Sequence, residues 1–135
     1  MITGLMPKAA DAYMGADIGL LAALVRLVAQ DFDRAAQVLT TDIEAAAGIF
    51  RTAAPLIADE DLRRRMAEAA ALCPTSLRIE ALNAQADVAT RVLIDLHAAV
   101  EAAADDGAAW APALDATIWG FLDDYVAKRA YDSAF

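Results

Sequence analysis

The chain has 135 residues, 59% of them hydrophobic and 23% charged, and 20 Asp and Glu against 11 Lys and Arg leave a formal net charge of −9. That length suits a single domain, 1–135, with a core that needs neither a disulfide nor a metal, and the lone cysteine, Cys73, excludes an internal disulfide. The acidic balance repels phosphate backbones and anionic lipid, so nucleic acid and membrane are excluded from the expected partners.

Thirty-six residues are alanine, the strongest helix former, and larger apolar residues recur among them every three or four positions. This pattern predicts an all-α fold: an antiparallel bundle of four or five helices, one or two of them long. The apolar share exceeds the roughly 45–50% of ordinary globular domains. A chain this small has limited interior, so the surplus predicts burial against a second copy and a homodimer.

The first helical segment runs from Pro7 to about Ala54. Ile18, Leu21, Val25, Val28, Phe32, Ala35 and Leu39 follow alternating three- and four-residue steps, as do Ile43, Ala46, Phe50 and Ala53. A four-residue slip joins the two runs, which one continuous helix tolerates as a stutter. Thr41-Asp42-Ile43-Glu44 at the slip matches a capping box, and the expectation leans toward a break near Thr40. The stretch from Ile18 to Ala29 is twelve residues and contains Arg26, short of the ~20 apolar residues of a membrane span. It reads as a buried core helix. No basic region precedes it, so no leader peptide is expected and the chain reads as cytoplasmic.

Pro55 closes this segment, and Asp59-Glu60-Asp61 is a favourable start for the next helix. Leu62, Met66, Ala69 and Cys73 give that helix one apolar face ending at Pro74, with Cys73 as a small buried hydrophobe. Thr75 or Ser76 then opens the most regular helix, to about Ala104, with Ile79, Leu82, Ala86, Ala89, Leu93, Leu96, Val100 and Ala103 inward. Asp105-Asp106-Gly107 ends it, Gly107 being the natural left-handed cap. A last helix begins near Pro112, with Leu114, Ile118, Phe121 and Tyr125 inward. No strand pattern or linker appears.

Two helices are apolar on more than one side. Leu20, Leu24 and Leu27 fall outside the first stripe, and Leu77, Ala81, Ala84 and Val88 form a second stripe beside the Ile79 face. A helix apolar on two sides is buried on two sides, either centrally within the monomer or, as the few helices favour, with these residues as a partner surface. Trp110, Tyr131 and Phe135 lie off the regular pattern and join it as aromatic candidates. Gly15-Ala16-Asp17-Ile18-Gly19 has small residues four apart, which suits either a close helix crossing or a loosened first turn.

Catalytic chemistry has little to stand on. His97, the only histidine, has Glu101 one turn later as a metal-ligand neighbour, yet a single histidine cannot supply the paired Glu-x-x-His of di-iron bundles. It reads as a boundary residue hydrogen-bonded to a neighbour, and no cofactor or metal is expected. Asp123 and Asp124 diverge on a helix, and Asp105-Asp106 is turn chemistry. No catalytic residue is assigned. The expected function is protein–protein contact in self-association, an adaptor role or assembly; the alternative is an apolar small molecule held between the Ile79 and Leu114 helices.

Overall fold

The computed structural model describes the backbone of residues 2–132 and the side chains of residues 10–132. The helices are α1 (Ile2–Ala53), α2 (Glu60–Ala71), α3 (Ile79–Asp105) and α4 (Ala111–Arg129), with one turn of 3-10 helix at Ala54–Leu56. Among the described residues there is no strand, and the helices pack on one another as an all-α bundle. The chain divides by its contacts into two units, Ala35–Ala130 and Met1–Arg34 with Tyr131–Phe135.

The larger unit holds the bundle core. Phe50, Met66, Leu96, Val100 and Ile118 are fully enclosed, and Ala46, Ala53, Ala69, Ala89 and Ala111 are buried beside them. Alanine at these positions brings helix backbones close without forfeiting helix propensity. A second cluster joins Leu39 and Ile43 of α1 to Leu82 of α3, with Ala36 and Ala86 against it.

The helix ends follow local chemistry. The Asp59 carboxylate accepts the backbone N–H groups of Asp61 (2.9 Å) and Leu62 (3.1 Å), capping α2 as its sequence indicates. Gly107 has φ 81°, the Ala108 N–H donates to the Ala103 carbonyl at 2.9 Å, and the Gly107 N–H donates to Ala104 at 3.0 Å. Those two bonds form a Schellman end for α3. Pro112 stands in the first turn of α4, where its missing N–H costs no helical bond.

Four expectations are corrected. α1 does not break near Thr40: the Thr41 hydroxyl donates back to the Gln37 carbonyl at 2.8 Å, as in a helix interior, and caps nothing. Cys73 is exposed, because α2 ends at Ala71 and leaves it in the connector before α3. Ile79 and Tyr125, read as inward, are 40% and 37% exposed. The stretch from Ile18 to Ala29 is not a core helix. Except for half-buried Leu27, its large apolar side chains lie open although they repeat as regularly as the buried ones farther along α1.

Candidate functional site

The exposed apolar surface of α1 is the least ordinary feature of the molecule. Tyr13, Met14, Ile18, Leu20, Leu21, Leu24, Val25, Val28 and Phe32 are all exposed, from 49% at Leu24 to 87% at Phe32. Met14, Ile18, Leu21, Val25, Val28 and Phe32 form one seam spaced 4-3-4-3-4, the pattern by which one helix meets another. Leu20 and Leu24 widen the seam, as their positions indicate. From Tyr13 to Phe32 the charged residues are Asp17, Arg26 and Asp31, so this surface carries a net charge of −1 in a chain of net charge −9.

Another stripe of α1 is covered. Ala23 is buried, and Leu27, Gln30 and Arg34 are half-buried at 4-3-4 spacing. The Tyr131 hydroxyl donates to the Asp31 carboxylate at 2.7 Å, and the Asp132 N–H donates to the Gln30 side-chain carbonyl at 3.0 Å. The Arg34 guanidinium stands 5.0 Å from the Tyr131 ring centroid. Tyr131 and Asp132 thus both bond to α1, contacts that these residues' neighbours in sequence do not announce. The bond to Asp31 is the main reason the Tyr131 phenol lies above its ordinary pKa; lost hydration and the Asp31 charge add to it, and Arg34 opposes it.

The other sequence-derived surface residues do not converge. Leu77 (71% exposed), Ala84 and Val88 are open on or just before α3, while Ala81 is half-buried. Trp110 is half-buried at the start of α4, one side of it packed against the core. Phe135 lies outside the described residues. A Cβ at Gly15 or Gly19 would meet nothing within 4 Å among the described residues.

Two of the hollows in the bundle border α4. One, of about 250 Å³, is bordered by Asp42, Asn83, Asp87 and Arg129 among apolar side chains. Asp42, 5% exposed, receives the Lys128 ammonium at 2.6 Å and the Arg129 guanidinium at 2.8 Å, tying α1 to the end of α4. The other is a groove of about 350 Å³ between α3 and α4, lined mainly by Leu93, Ile94, Ile118, Phe121 and Leu122, with His97 at its side.

His97 Nε2 lies 2.9 Å from the Asp115 carboxylate on α4 and 3.7 Å from Glu101 one turn along α3, and Trp119 meets the imidazole edge-on at 5.4 Å. The hydrogen-bonded neighbour anticipated for His97 is Asp115, eighteen residues away and beyond what local spacing discloses. Compared with known proteins, the chain matches no family model, no curated protein and no solved structure.

Proposed function

We propose that this protein works through protein–protein contact, associating with a second copy of itself along the first part of α1, in an assembly role that requires no catalysis. The observation that carries the reading is the run of nine exposed large apolar side chains between Tyr13 and Phe32. Fully burying one such side chain is worth about 1.5–3 kcal/mol, and monomeric proteins rarely leave a contiguous apolar patch beyond a few hundred Å² open. The seam is regular enough to receive another helix. Its low net charge weakens the repulsion that an identical copy meets elsewhere on the acidic chain.

A bilayer is the competing occupant. α1 contains a segment long and apolar enough to span one by length and composition, with a mean hydropathy of 1.6 over its most apolar window. Charge placement argues against that use. Thirteen residues separate Asp17 from Asp31, about 20 Å of helix, and Arg26 falls among them. A hydrocarbon core is about 30 Å thick.

The test is sedimentation of the wild type beside a Leu21→Glu, Val25→Glu variant, with and without neutral lipid vesicles. Both side chains are exposed in the single chain, so the variant should keep its helicity. The wild type is expected to sediment as a dimer or larger and the variant as a monomer, neither moving with vesicles. A monomeric wild type overturns the proposal, and co-sedimentation with vesicles replaces it with a membrane role.

The α3–α4 groove supports a second reading, the binding of a small apolar molecule, since its volume is at the lower end of the ~300–1,000 Å³ common for ligand sites.

A further inference from the structure

We propose that His97, Glu101 and Asp115 form a binding site for one divalent transition-metal ion of the zinc class. His97 and Glu101 are four residues apart on α3 and share a face, while Asp115 reaches them from the second turn of α4. One donor atom from each residue can be chosen so that all three lie within 4.8 Å of one another. Ligands held about 2.0–2.2 Å from a tetrahedral ion lie roughly 3.4 Å apart. The observed 2.9 and 3.7 Å from His97 Nε2 bracket that separation. Glu101, the more exposed carboxylate, has room to complete the set by rotating.

The electrostatics favour the same assignment. The other closely held carboxylates each meet an Arg or Lys: Asp42 meets Lys128 and Arg129, Asp61 meets Arg64 and Arg65, and Asp95 meets Arg65. Glu101 and Asp115 instead converge on a single imidazole, with no Arg or Lys bridge to either among the described residues. A dication would balance both carboxylates. An imidazole with two carboxylates suits zinc and its cobalt and nickel analogues better than the all-oxygen sites of calcium or magnesium. Trp119 packs on the ring and limits its rotation. Three protein donors leave a fourth position to water or another ligand, and the bound ion would clamp α3 to α4.

The experiment is calorimetric titration of the full chain with zinc chloride, followed by cobalt(II) titration read by visible absorption. The expected result is one ion per chain, a tetrahedral cobalt spectrum and a higher melting temperature with zinc. Affinity should fall at least roughly tenfold in Asp115→Asn and in Glu101→Gln, and stoichiometric binding should be lost in His97→Gln. Glu101 is exposed, so its variant keeps the fold and reports on ligation alone. Absence of stoichiometric binding by the wild type overturns the assignment, as does unchanged affinity in Glu101→Gln and Asp115→Asn.

Discussion

Asp42 shows how a single residue can carry a large share of tertiary specificity. It stands among the apolar positions of α1, where its sequence neighbours suggest only a helix cap, and it is buried with two cations on it. Removing one member of a buried ion pair usually costs about 3–5 kcal/mol, because the remaining charges lose their partner. Here Lys128 and Arg129 keep 25% and 33% of their side-chain surface in solvent, which softens the loss. Asp42→Ala should therefore destabilise the fold by about 2–3 kcal/mol in urea denaturation, and a change under about 0.5 kcal/mol, within the spread of ordinary surface substitutions, would refute this role. Tyr131 offers a pH signature at the same scale. Its phenol is raised above 10.0 chiefly by the bond to Asp31, so the stabilisation is fully present below pH 10 and is lost as pH rises through the folded-state value. Asp31→Asn should let Tyr131 ionise at lower pH, read from its ring resonances by NMR, and an unmoved titration would contradict the contact.

At the scale of the element, α1 explains both what could be read in advance and what could not. Its second half carries the same three-and-four spacing as its first, and Ile43, Ala46, Phe50 and Ala53 are buried as that spacing implies. The first half has an equally good pattern, yet its large apolar side chains from Tyr13 to Phe32 are mostly exposed. Periodicity reports which side chains share a face; it says nothing about whether anything lies opposite. The Thr41 capping pattern misleads for a related reason: a hydroxyl that can cap a helix also bonds the carbonyl four residues back, and tertiary burial of Leu39 and Ile43 decides between them. Asp59 and Gly107 are legible because caps are local chemistry. His97 is visible as a candidate with Glu101, whereas Asp115 enters only through the α3–α4 packing. Gly48 provides a test of α1 continuity. An added Cβ there meets nothing within 4 Å, so Gly48→Ala should stabilise the chain by about 0.5–1 kcal/mol if the helix runs unbroken, measured as a melting point a few degrees higher. A lower melting point would indicate a hinge.

For the molecule as a whole, the alanine content and the apolar surplus separate into two uses. Alanines at 46, 53, 69, 89 and 111 draw the helices of the bundle unit together. The exposed leucines, valines and aromatics between residues 13 and 32 are left over, and we assign them to a second copy of the chain. This assignment is independent of the metal proposed at His97, which lies in the other unit. The most direct measurement is the molar mass of the wild-type protein in solution by light scattering across a concentration series. The expected result is twice the 14.2 kDa chain mass or a higher multiple, falling on dilution toward the single chain. A mass of 14.2 kDa at every concentration would contradict it.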